Sequence, residues 1–138
     1  MAIKQVTVFI GNKEGRIEKV TEVLGKAMID IVSLSLAEAV DFGLLRLIVA
    51  DPEKTKDVLK EAGLTAKINH VIAIEIDNKT GSLHNLLTSL RDFNIEYMYL
   101  LNADKKASIV MRIKNYEDAE AVLCSQGFKV LSDSDISR

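Results

Sequence analysis

A chain of 138 residues with 48% hydrophobic and 28% charged residues holds enough apolar material to bury a core, which excludes a disordered segment. Eighteen Lys and Arg stand against twenty Asp and Glu, a formal net charge of −2, and the signs alternate without blocks, so no basic stripe offers itself to nucleic acid. The opening Met1-Ala-Ile-Lys-Gln-Val is not a charged region followed by an apolar run, and no long unbroken apolar stretch follows, so neither a signal peptide nor a membrane span is expected, while the single cysteine, Cys124, precludes an internal disulfide and fits a reducing cytoplasm.

In chain order, Val6, Val8 and Ile10 alternate with Gln5, Thr7 and Phe9, the period of a strand. The loop Gly11-Asn12-Lys13-Glu14-Gly15 leads to Ile17, Val20, Val23, Leu24, Ala27 and Met28, whose spacings of three and four predict an amphipathic helix. Residues 29–40 predict a second strand, Asp41-Phe42-Gly43 a turn, and residues 44–50 a third strand. Asp51-Pro52-Glu53 supplies an N-cap, a proline at the first helical position and an acidic first turn, and Gly63 stands where a left-handed residue ends a helix. Residues 64–68 predict a fourth strand, with His70 in the connection that follows.

The same order then recurs. Val71, Ile72, Ile74 and Ile76 predict a strand, Asp77-Asn78-Lys79-Thr80-Gly81 a loop, and Leu83, Leu86, Leu87, Leu90 and Phe93 a helix. Residues 95–101 and 107–113 predict a hairpin around residues 102–106, Asn115 opens a helix ending at Gly127, and residues 128–131 predict the closing strand. Asn12 and Asn78 lie 66 positions apart, whereas Asp51 and Asn115, and Gly63 and Gly127, lie 64 apart, so one unit is written twice with two residues lost from the first helix of the second copy. The chain reads as an α+β protein of two tandem ferredoxin-like βαββαβ repeats, residues 1–69 and 70–138, each an antiparallel four-stranded sheet with both helices on one face. Residues 29–40 are apolar and uncharged up to Glu38, unlike a protected edge, so this strand is expected to pair with residues 95–101 and join the sheets edge to edge. The uncovered sheet faces are then expected to pack two chains together as a homodimer.

Val6-Thr-Val-Phe-Ile-Gly-Asn-Lys-Glu-Gly15-Arg-Ile and Val71-Ile-Ala-Ile-Glu-Ile-Asp-Asn-Lys-Thr-Gly81-Ser-Leu are each followed by a helix and then by Ile29-Asp-Ile-Val-Ser or Phe93-Asn-Ile-Glu-Tyr-Met-Tyr99. On these segments the chain resembles the ACT domain family, and specifically small stand-alone proteins of two ACT domains. Family loops commonly read Asp or Asn, any residue, Pro, Gly, and this chain departs from them with Glu14 and Thr80 at the proline positions. The resemblance implies regulation: a free amino acid or similar small metabolite held where the repeats meet, with control of an enzyme supplied in trans. The helix after Gly15 or Gly81 would present unpaired N–H groups and a positive dipole end to a carboxylate. The amides of Asn12 and Asn78 could accept from an ammonium and donate to a carboxylate. Lys13 and Lys79 could support that charge, and Arg16, Ile17, Ser82 and Leu83 begin the helices beside it. Ser33 and Ser35 of one edge strand and Tyr97 and Tyr99 of the other would meet the ligand side chain.

Other chemistry finds no residues to carry it. His70, His84 and Cys124 lack metal-ligand spacing, no cofactor motif is present, and nucleophile and phosphate-binding signatures are missing, so neither metal, cofactor nor catalysis is expected. His84 reads as a solvated residue, Cys124 as a small core residue on its helix, and Glu96 as solvent-facing or as the partner of a cationic ligand group. The competing reading is a ligand-independent adaptor subunit of a metabolic enzyme.

Overall fold

The computed structural model describes residues 2–11, 14–38 and 41–136. It divides into two compact units, one of Lys4–Asn69 and one of His70–Ile136 that also takes in residues 2–3. The first runs β1 (Ile3–Gly11), α1 (Arg16–Lys26), β2 (Ile31–Glu38), β3 (Phe42–Val49), α2 (Pro52–Glu61) and the opening part of β4 (Thr65–Asp77). The second takes the rest of β4, then α3 (Ser82–Ser89), β5 (Ile95–Ala103), β6 (Lys106–Ile113), α4 (Tyr116–Ser125), β7 (Lys129–Val130) and a short α5 (Asp133–Ile136). Both are βαββαβ, with strand orders β2-β3-β1-β4 and β5-β6-β4-β7, the expected α+β ferredoxin-like repeat. The shortened helix lies where the offsets put it: α1 has 11 residues and α3 has 8.

Period-two and period-four burial meet in each core. In the first unit Val6, Val8 and Ile10 of β1 and Leu45, Leu47 and Val49 of β3 join Val20 and Leu24 of α1 and Leu59 of α2. In the second, Ile72, Ile74 and Ile76 of β4 and Ile109, Met111 and Ile113 of β6 join Leu86 of α3 and Ala119 and Leu123 of α4. Each large apolar side chain so buried contributes about 1.5–3 kcal/mol. The helix ends follow their residues. The Asp51 side chain accepts from the Lys54 amide at 3.1 Å with Pro52 at the first helical position, and Gly63 and Gly127 take φ of 82° and 85°.

Several expectations are corrected. Residues 65–77 form one unbroken strand, so His70 lies within β4 and not in a connection: no glycine or proline interrupts the run. The pairing expected between the second strands is replaced by β2 with β3 and β5 with β6. In each strand order β2 or β5 stands at the end away from β4, which carries the chain from one unit to the other. The sheet positions alternating with the cores are not bare. Gln5, Thr7, Ile48, Val71, Ala73, Ser108 and Val110 are all buried, which removes the apolar surface proposed for face-to-face packing. Among the buried polar residues, Gln5 Nε2 donates to Thr7 Oγ1 at 2.9 Å and Thr7 Oγ1 donates to Asn69 Oδ1 at 2.6 Å. Cys124 is exposed, one step past Leu123, whose side chain with that of Ala119 forms the buried stripe of α4. A short terminal helix, α5, follows the last strand; Ser132 starts it by donating its amide to Asp135 Oδ2 at 2.8 Å, a bond that holds the Asp135 carboxyl below the usual range. Among the described residues no helix is long and apolar enough to cross a membrane.

Met28, the last apolar residue of the predicted first helix, lies beyond α1 with φ of 60° and its side chain 88% exposed. A left-handed conformation costs a side-chain-bearing residue about 1–2 kcal/mol, and an exposed side chain recovers little of it through packing. Met28→Gly is expected to stabilise the chain by about 0.5–1 kcal/mol after glycine's own entropic cost, read as a rise in melting temperature.

Candidate functional site

Gly15 and Gly81, at equivalent positions of the repeat, immediately precede α1 and α3. Gly15 (φ 79°, ψ 0°) and Gly81 (φ 88°, ψ −13°) cap these helices in the left-handed region, and neither helix has a side-chain cap bond. Glycine is needed at both places because any Cβ would strain the turn. At α3 the Ser82 amide donates to the Lys79 carbonyl at 3.2 Å, which leaves the amides of Leu83 and His84 in the first turn to a ligand or water. Asn12 and Lys13 of the first turn lie outside the described residues.

The second turn is described throughout and is fastened to the β5–β6 hairpin. The Asn78 amide donates to the Lys105 carbonyl at 3.0 Å, and Asn78 Nδ2 donates to the Asp104 carbonyl at 2.7 Å. The side-chain NH₂ expected to read a ligand carboxylate thus holds the turn in place. Next to it Lys106 Nζ donates to Asp77 Oδ1 across the paired strands, and Lys79 Nζ stands 3.8 Å from Asp77 Oδ2. The hydrogen bond from Lys106, and then its charge, hold the Asp77 carboxyl below the usual range, and the same bond raises the Lys106 ammonium.

This turn borders an open cleft of about 530 Å³. Glu75, Ile76 and Asp77 of β4 and Lys106 of β6 form one wall; Lys79, Ser82 and Asn85 of the turn and α3 form another. Gly127, Phe128 and Lys129, entering β7, close the third side. Its volume is in the range of small-molecule sites, and it brings carboxylates and ammonium groups together beside a helix N-terminus. Of the residues singled out from the sequence, Lys79 and Ser82 line this cleft.

The others are placed elsewhere. Arg16 opens α1, and its Nε lies 3.7 Å from the point a Cβ on Gly11 would occupy, so its guanidinium covers the end of β1. Ile17 and Leu83, at equivalent first-turn positions, are each 41% exposed. Ser33 and Ser35 are half-buried on β2, opposite Ile48 and Arg46 of β3. The half-buried Tyr97 and Tyr99 stack on one another, ring centroids 6.4 Å apart, on β5 and not in the cleft. His84 is exposed, and Glu96 Oε2 lies 3.7 Å from Arg112 Nε. Among the described residues no group of three or more His, Cys, Asp or Glu could hold a metal ion.

Sequence reasoning missed Glu75, Asp77, Lys106 and Lys129 as charged residues lining this cleft. Hairpin register was the available signal: counting back from the β6 turn sets Lys106 opposite Asp77, and the β7 pairing sets Lys129 opposite Glu75.

The family described as the ACT domain pair matches the chain over residues 1–138. A crystal structure of a Bacteroides thetaiotaomicron protein is 37% identical, with a TM-score of 0.94 over 100% of this chain and 97% of that one. The regulatory subunit of aspartate kinase from Thermus thermophilus, in its ligand-free form, is 14% identical with a TM-score of 0.64, covering 90% of this chain and 92% of that one. The corresponding subunit from Thermus flavus is 15% identical with a TM-score of 0.64, covering 88% of each. At these low identities the Thermus structures share the fold. No curated protein matches the chain in sequence.

Because its folded pKa is lowered, Asp77 stabilises the fold at pH above its unfolded value and loses that contribution as pH falls through the folded value. NMR titration of the Asp77 carboxyl is expected to give a midpoint below the usual aspartate value, moving back towards it in Lys106→Met.

Proposed function

The chain belongs to the ACT domain pair family, and we propose that it is a non-catalytic regulatory protein that binds a free amino acid in the cleft of its second unit. One observation carries this reading: carboxylates of Glu75 and Asp77 and ammonium groups of Lys79, Lys106 and Lys129 line one cleft at the start of α3. A zwitterion needs partners of both signs within a few ångströms. The Leu83 and His84 amides of α3 and the Ser82 hydroxyl suit its carboxylate, and Glu75 suits its ammonium. Lys79, Gly81, Ser82 and Leu83 keep the role first assigned to them as the turn and first helical residues of the site. Asn78 serves it by fixing the turn. The first turn, with Gly15, Arg16 and Ile17, is the counterpart site, and Arg16 stands there where Ser82 stands in the second. Ser33, Ser35, Tyr97 and Tyr99 belong to the proposal only as edge-strand residues that a bound side chain would approach.

A regulator without its own chemistry acts by binding one state of a partner better than another. The partner proposed is a metabolic enzyme supplied in trans. The Thermus proteins of the same fold, which are regulatory subunits of aspartate kinase, support this class of role. A homodimer in the cytoplasm belongs to the same proposal; Leu34, Leu36, Met98 and Leu100, exposed on β2 and β5, are its apolar contact residues.

A thermal-shift screen of the twenty amino acids tests the site. Ligand at 100 times its dissociation constant adds about 2.7 kcal/mol and raises the melting temperature by several degrees. Ser82→Arg, which installs the residue that begins α1, fills the cleft with a guanidinium that the repeat already tolerates. It is expected to fold and to lose the shift. A shift unchanged in Ser82→Arg would move the ligand to another site, and no shift with any amino acid would favour the adaptor role.

A further inference from the structure

The internal duplication provides a control for the charges of the cleft. By the repeat offsets, Glu75 corresponds to Phe9, Asp77 to Gly11, Lys106 to Phe42 and Lys129 to Thr65. In the first unit the rings of Phe9 and Phe42 lie 5.9 Å apart, and Lys67 Nζ stands 5.7 Å over Phe9. The same backbone positions are thus built around an aromatic pair in one unit and around ions in the other. The fold itself does not require those ions, and four of them converge on one cleft with Lys79 as a fifth.

Their signs do not cancel. Asp77 is opposite Lys106 and Glu75 opposite Lys129 in strand register, so each carboxylate already has a lysine across from it. Lys79 shares Asp77 with Lys106, so the three ammonium groups of the cleft exceed its two carboxylates by one, and the N-terminus of α3 adds partial positive charge on the same side. A neutral zwitterion takes one group of each sign and leaves this excess standing. A ligand with a second carboxylate matches it.

Resting on the reading of the cleft as an amino-acid site, we propose that its ligand is an acidic amino acid, an α-amino dicarboxylate, and that Lys79 and Lys129 select it over its uncharged amide. The α-carboxylate lies at the start of α3, the ammonium group lies towards Glu75, and the side-chain carboxylate lies between the two lysines. Phe128 forms the apolar wall beside the ligand's methylene groups.

Isothermal titration of the full chain at low salt with L-glutamate, L-aspartate, L-glutamine and L-asparagine decides the matter. Acid and amide have nearly the same shape, so the comparison isolates charge. The acid is expected to bind at least about fivefold more tightly than its amide, with the margin shrinking as salt is added. Lys129→Gln and Lys79→Gln are each expected to weaken binding of the acid more than binding of the amide and so bring the ratio towards one. An amide bound as tightly as its acid overturns the selection by charge and leaves the amino-acid reading standing. Discrimination that survives both lysine changes also overturns it, because the cleft would not then be its source. Binding of none of the twenty amino acids overturns both.

Discussion

The alternation of apolar side chains along β4 is the constraint on which the two units depend. Ala66 and Ile68 pack against the core of the first unit, and Ile72, Ile74 and Ile76 belong to that of the second, all at even positions of one continuous strand. Because strand period is two, a slip by a single residue would turn every one of these side chains away from its core. The register that buries Ile76 also fixes where Asp77 leaves the sheet, and so where the turn, Gly81 and α3 begin. The cleft lies at the end of that chain of consequences.

Much of this architecture was legible in the sequence, and the duplication is the reason. Two copies of the same apolar periods, each punctuated by glycine at matching places, make the element order βαββαβ readable twice. The boundary between copies was less legible because Asn69 and His70 are polar and look like a connection. Both are accommodated within the strand: Asn69 Oδ1 accepts from Thr7, and the His70 ring stacks on Tyr116 at 5.8 Å while its carbonyl accepts from Arg112. Satisfied polar groups let a strand pass through residues that composition assigns to a loop. Placement on a helix face was also finer than composition could settle, as the exposure of Cys124 next to buried Leu123 demonstrates.

The site divided along a similar line. A glycine that must adopt positive φ at a helix start has a local signature, so Gly15 and Gly81 could be found from sequence. Lys106 and Lys129 reach the cleft only through cross-strand register, a long-range property with no local mark. Asn78 illustrates the opposite case, in which the residue type was noticed but its amide turned out to be committed to Asp104. Comparison of the two copies also separates residues the fold needs from residues it merely carries. Ile10 and Ile76 occupy equivalent core places, whereas Phe9 and Glu75, one position earlier, have diverged completely.

The exposure of Cys124 has a practical side. The sequence contains one cysteine and no tryptophan, and that cysteine projects from α4, the helix that leads into the Gly127–Lys129 side of the cleft. A thiol-reactive fluorophore would therefore attach at a single defined point, in a chain with little intrinsic emission to obscure it. The molecule carries a natural attachment site for an optical reporter within the unit that contains the cleft.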